Sequence, residues 1–279
     1  MRSLIFLAFC FLSSFVMAQV PVSKEPRHHL VFENENARIL NVLLPPGDTT
    51  QYHLHSTPSV FIMLTHTKTG SQKITNDPVT STSKAGDIWF ENLNPPNTKI
   101  HRVWNMDTAT YHVVDVELLT KDSGFANPPL TLEHTHIIID TPWVRVYSIV
   151  LAKDQQTTIK GKRPGFILIA INAGNIQLTE NNKRSNSMIQ PGANFIIEPN
   201  TEFSLNNSGG SLMQFALLEL HFTADYPLGS GNGNGFGTQV QGVTLPNFAN
   251  KELTWGKLHK TNIGVDAILF NNTILFTAE

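Results

Sequence analysis

The 279-residue chain is poor in cysteine, in charge and in long apolar runs. Its single cysteine, Cys10, lies in a segment expected to be removed on export, which leaves no disulfide, thiolate metal site or cysteine nucleophile. Charged residues make up only 15% of the chain, with 20 Lys+Arg against 22 Asp+Glu and a formal net charge of −2. No basic stripe offers a footprint for a phosphate backbone, so nucleic-acid binding is not expected. After the first 18 residues no apolar run approaches the ~20 residues of a membrane-spanning helix, and no membrane anchor is expected. Turn formers are plentiful: 18 glycines and 16 prolines separate short runs of Val, Ile, Leu and Phe. That pattern predicts an all-β protein.

Residues 1–18 have the grammar of a secretory signal. Arg2 supplies one positive charge, Leu4 to Val16 an apolar core, and Val16-Met17-Ala18 a small-residue cleavage site. Phe9 stands before Cys10, where a lipoprotein signal needs a small residue. The mature chain is therefore expected to be exported, periplasmic or secreted, and free of a lipid anchor.

An internal repeat divides the remainder. Shifting the sequence by 107 positions lays His29-Leu30-Val31-Phe32-Glu33 on His136-Ile137-Ile138-Ile139-Asp140, and Arg38–Leu44 on Arg145–Leu151. A slightly smaller shift matches Phe61–Leu64 with Phe166–Ile169, and Gly86 with Gly192. A period this long predicts two small domains rather than a solenoid, at 28–121 and 134–222. The linker between them contains Asn127-Pro128-Pro129. Residues 223–279 form a C-terminal extension, with a Gly-rich loop at 229–235 and strand signals at Ala267–Phe270 and Thr273–Thr277.

Of the 11 histidines, His53 and His55 stand two apart, so on a strand both imidazoles point to one face. Converging neutral imidazoles are a start on a divalent-metal site. His28, His29, His134 and His136 read as strand-entry residues of structural or surface character, and His66 as a turn residue. His112 shares a strand face with Val114, Val116 and Leu118, which makes it either a satisfied core group or a cavity wall.

Gly47-Asp48-Thr49-Thr50-Gln51-Tyr52-His53-Leu54-His55 resembles the first motif of the cupin superfamily, and Pro96-Asn97-Thr98-Lys99-Ile100-His101-Arg102-Val103-Trp104-Asn105 resembles the second. The resemblance implies two tandem cupin barrels, a bicupin of the double-stranded β-helix (jelly-roll-like) type. Carried over, it makes His53, His55 and His101 the metal ligands. The family's metal-binding Glu is missing, because Ser59 and Val60 stand where it is expected, and Thr98 replaces a motif Gly. Gln51, Ser59, Glu91 or His112 is then left to complete the ligand set or line the cavity. In the second repeat the 107-residue register sets Lys160 and Lys162 opposite His53 and His55, and Pro199–Ser204 holds no histidine, so that barrel is expected to be metal-free.

The implied function is metal-dependent catalysis on a small molecule, dioxygenase-like or isomerase/hydrolase-like. Three histidines suit Fe, Mn, Ni, Cu or Zn alike. The competing expectation is a non-catalytic bicupin that binds a small ligand or a metal. The resemblance also implies a homodimer.

Overall fold

The computed structural model describes residues 19–121 and 124–220, together with the backbone of two strands near the C-terminus. The expected signal segment and the Gly-rich loop lie outside the described residues. Between residues 19 and 121 run β1 (Val20–Pro21), β2 (His28–Glu33), β3 (Ala37–Leu44), β4 (His53–His55) and β5 (Ser59–Met63). These are followed by β6 (Thr67–Lys73), β7 (Val79–Ser83), β8 (Ile88–Glu91), β9 (Lys99–Asn105) and β10 (Tyr111–Leu118). A 3-10 turn, Val22–Lys24, links β1 to β2. Between residues 124 and 220 run β11 (Thr135–Asp140), β12 (Val144–Leu151), β13 (Gln156–Ile159), β14 (Gly165–Ala170) and β15 (Gly174–Glu180). They continue with β16 (Lys183–Ile189), β17 (Asn194–Ile197), β18 (Phe203–Asn207) and β19 (Met213–Leu220). The all-β expectation holds. A separate unit holds one antiparallel pair, β20 (Val265–Leu269) with β21 (Ile274–Ala278), close to the expected strand signals.

The sheet orders repeat along with the sequence. One sheet of the first half runs β2-β3-β10-β5-β8, and its counterpart runs β11-β12-β19-β14-β17. The other pair is β1-β4-β9-β6-β7 and β13-β18-β15-β16, so β1 is the one addition. Even the irregularities match: the pairing of β2 with β3 slips between Leu30 and Phe32, and that of β11 with β12 between Ile137 and Ile139. Asn105 ends β9 by donating from Nδ2 to the carbonyls of Leu44 (2.9 Å) and Ala109 (2.7 Å). Asn207 does the same for Leu151 (2.9 Å) and Ser211 (2.7 Å). Each Asn ties the strand ends of its barrel together by pairing two backbone carbonyls.

The two halves pack on one shared apolar layer. Ile39, Ile62, Val114, Val116 and Leu118 of the first meet Val146, Ile167, Ala216, Leu218 and Leu220 of the second. These are the same positions of the two repeats, so the contact has the self-complementary character of a two-fold interface inside one chain. Reciprocity extends to the glycines. A Cβ on Gly192 would touch His112, and one on Gly86 would approach Gln214, the counterpart of His112. Both glycines have positive φ, +84° and +90°, which suits a residue without a Cβ.

The interiors differ. The second half is filled by Tyr147, Ile159, Phe166, Phe203, Phe215 and their neighbours. The first has a smaller apolar cluster, Val42, Phe61, Met63, Leu93 and Val113, beside which a histidine-lined chamber opens.

Candidate metal centre

His53 and His55 lie on β4 with Leu54 between them, and the antiparallel neighbour β9 sets His101 directly opposite His53. The turn before β4 holds this register. Gly47 sits at φ +76°, its N–H donates to the Asn105 carbonyl (3.2 Å), and the Thr50 N–H donates to the Val103 carbonyl (2.8 Å). The three side chains thus face inward from adjacent strands of one sheet. Nε2 of His55 is 3.1 Å from Nε2 of His53 and 3.1 Å from Nε2 of His101.

Those contacts cannot both be full two-centre hydrogen bonds among neutral rings. Nδ1–H of His53 donates to the Gln51 carbonyl (2.8 Å), which leaves His53 Nε2 with a bare lone pair. A proton on His55 Nε2 serves His53 or is split between His53 and His101, and no neutral tautomer supplies each contact with an N–H of its own. Protonation of the rings is disfavoured as well. Burial, then the neighbouring cationic groups, lowers His53 to about 4 and His101 to about 2, and holds His55 well below the usual imidazole value. Two ligand nitrogens about 2.0–2.1 Å from one ion, at angles of about 90–110°, lie about 2.9–3.4 Å apart. The observed 3.1 Å spacings therefore fit a divalent cation shared by three lone pairs.

A fourth histidine stands beside them. His28, grouped in sequence with structural or surface residues, is buried, and its ring centroid lies 4.5 Å from that of His53. Ligand atoms of His28, His53 and His55 all fall within 4.8 Å of one another. Nδ1–H of His28 donates to Glu25 (2.6 Å). The Glu25 carboxylate also accepts the backbone N–H groups of Gln51 (3.0 Å) and Arg27 (2.8 Å). Burial would raise Glu25, but these bonds hold it below the ordinary carboxylate value. A carboxylate–histidine pair of this kind fixes the tautomer and leaves Nε2 free to coordinate. The Val22–Lys24 turn brings Glu25 and His28 to the site, a placement that strand periodicity does not encode. The local signal was the Glu25–His28 spacing of three residues.

The other sequence candidates take varied places. Gln51 exposes its side chain and contributes through its backbone carbonyl and N–H. Ser59 is buried and donates to the Thr57 carbonyl (3.2 Å). Glu91 lines the chamber, paired with Lys99 at 2.7 Å. His112 points the other way: Val113 lines the chamber, while His112 lies beside Gly192 of the second barrel, 3.3 Å from Asn41 Oδ1. Its strand face is the shared layer between barrels, because alternation on β10 sends successive residues to opposite sides. Behind the site, Asp115 is fully buried and its Oδ2 lies 3.6 Å from His55 Nδ1. Burial, then the nearby Glu117, pushes Asp115 well above the usual carboxylate value.

In the second barrel the pairing register moves the equivalence by one residue. Ile159 faces Phe203 on β13 and β18 as His53 faces His101 on β4 and β9. Ile159, and not Lys160, therefore takes the place of His53, and Phe203 that of His101. Both are buried in the apolar interior, while Lys160 and Lys162 are exposed.

No protein-family model and no curated protein matches the sequence. Solved structures do match in shape. AerE from Microcystis aeruginosa superposes with a TM-score of 0.51 at 12% identity, over 69% of this chain and 92% of that one. A salicylate 1,2-dioxygenase variant from Pseudoaminobacter salicylatoxidans, in complex with gentisate, gives 0.50 at 10% identity, over 72% and 76%. This is the cupin fold, built twice. The two segments that resemble cupin motifs fall on the turn, strands and histidines described above. The second cupin barrel retains the architecture with an apolar interior. No helix among the described residues is long and apolar enough to cross a membrane.

Proposed function

We propose that the chain is a metal-dependent enzyme acting on a small molecule, with one divalent ion held in the first barrel by His53, His55 and His101. The pair of 3.1 Å Nε2 contacts carries this reading, since cation-free neutral rings cannot give each contact an N–H of its own. His28 stands ready as a fourth nitrogen ligand in place of the missing Glu, aligned by Glu25. When bound, such an ion supplies Lewis acidity or a redox centre, which suits dioxygenase-like or isomerase/hydrolase-like chemistry. The chain's own residues orient and shield it. The Gln51 carbonyl fixes the His53 ring, and Phe61, Trp89, Val42 and Val113 present an apolar wall that keeps bulk water out. The gentisate complex of one structural likeness supports a small organic molecule as the ligand class. The N-terminal segment supports an exported chain, periplasmic or secreted, and the packed second barrel supports a structural role for that half.

A second reading, a non-catalytic ligand- or metal-binding bicupin, is favoured by the small chamber. It measures about 60 Å³, room for an ion and a water or two but not for an organic molecule. Elemental analysis of the purified chain tests the shared premise. About one divalent ion per chain is expected, falling at least tenfold in His53→Ala and His101→Ala. Trace metal that does not change with these substitutions overturns both the site and the enzyme reading. Oxygen uptake by the metal-loaded chain against a panel of phenols then separates catalysis from binding.

A further inference from the structure

Along β9 the histidine chamber is bordered by Lys99, His101 and Val103. A larger cavity of about 500 Å³ lies outside it, lined among others by Lys73, Asn92, Asn97 and Thr98. The two cavities share two lining residues, Glu91 and Lys99. Lys99 Nζ donates to both oxygens of Glu91, at 2.8 and 2.7 Å, so one ion pair forms the partition between them. Lys99 precedes His101 by two residues on β9 and shares its inward face. Its ammonium also stands 5.2 Å from the Phe61 ring centroid on the chamber wall.

The partners are held unequally. The Lys99 side chain is 12% exposed and the Glu91 side chain 33%. Glu91 closes β8 where the chain leaves for the loop ahead of Pro95-Pro96, and its remaining side-chain bond comes from Trp89 Nε1–H at 3.1 Å. Glu91 is therefore the member that can swing outward, whereas Lys99 lies inside the barrel. Once Glu91 leaves, Lys99 is an ammonium in a largely desolvated site and needs another anion.

Resting on the metal-site reading above, we propose that Lys99 is the specificity-determining residue for a small carboxylic acid, whose carboxylate replaces that of Glu91 and joins the outer cavity to the histidine chamber. The outer cavity has the size usual for a small-molecule site, while the inner one admits only the reacting end of such a ligand. An amide of the same shape offers no charge to Lys99 and cannot match the bond that Glu91 gives up. The acid therefore opens the partition and its amide does not.

The test uses the purified full chain with acetate, succinate and benzoate, each against its primary amide, followed by calorimetry with and without added zinc. At least one acid should bind about tenfold or more tighter than its amide. Glu91→Gln, which frees Lys99, should tighten that acid about fivefold or more, and Lys99→Met should weaken it at least tenfold. The amides should move less than about twofold in both variants. Equal binding of acid and amide in the wild type and in Glu91→Gln overturns the proposal, as does an acid preference that survives Lys99→Met. No binding of any acid to folded protein overturns it too. Zinc content per chain is read from the same samples. A chain that prefers the acid but holds neither zinc nor any other divalent ion rejects the metal site and leaves Lys99 standing, so the two readings fail separately.

Discussion

Neutral imidazoles set the pH response of the first barrel. His53, His55 and His101 are all depressed by burial, and His112, half-buried beside the second barrel, is lowered to about 4 by the same desolvation. Below about pH 6.5 the unfolded chain binds protons that the folded chain refuses, so stability falls as pH falls. Each histidine contributes up to about 1.4 kcal/mol per pH unit until its folded value is reached, near 4 for His53 and His112. Urea midpoints of the metal-free chain should accordingly drop steeply between pH 6.5 and 4. Replacing His53 with Asn should flatten the slope, and an unchanged slope would show that this ring titrates freely. The motif spacing made His53, His55 and His101 legible in the sequence, because strand alternation and a fixed turn place them without further help. His28 was not legible, since its approach depends on how the Val22–Lys24 turn folds Glu25 over Gln51. His112 was read to the correct strand face, but a strand pattern cannot say which of two apolar layers that face joins.

At the scale of strands, β9 and β18 are one element put to two uses. Each ends in an Asn that ties the same pair of loops, yet one presents His101 to a chamber and the other buries Phe203 against Phe166, with centroids 5.7 Å apart. Phe203→Ala should cost about 3–5 kcal/mol, as large aromatic truncations in packed cores do. His101→Ala in the metal-free chain should cost far less, because the ring borders a cavity and has no satisfied pair of hydrogen bonds to lose. Urea denaturation of the two variants makes the comparison, and similar losses would remove the distinction between a working and a packed interior. The repeat in the sequence exposed this equivalence but slipped by one residue at β13. The matching segments require shifts that shrink along the chain, and the deleted residue falls before the strand. A slip of one on a strand exchanges its inner and outer faces, which is why exposed Lys160 stood in for buried Ile159.

The whole of the described double barrel turns on its shared layer. The same strand positions from each half meet there, so the first half carries a surface complementary to a copy of itself. Residues 19–121 produced alone should therefore self-associate through this face, and light scattering should find dimers or larger species. Replacing Val116 with Asp should abolish that association, because a carboxylate facing its own copy is buried without a partner. The repeated strand order was visible in the 107-residue period, while this layer was not, since sequence similarity between halves says nothing of which residues touch.

Joining the two halves through equivalent positions while filling only one interior also separates the rules by which each half tolerates change. Substitutions inside the second barrel are filtered chiefly by volume, whereas those inside the first are filtered by lone pairs and charge as well. A molecule divided in this way can exchange one ligand preference for another in its first half while the folding problem of the second stays solved.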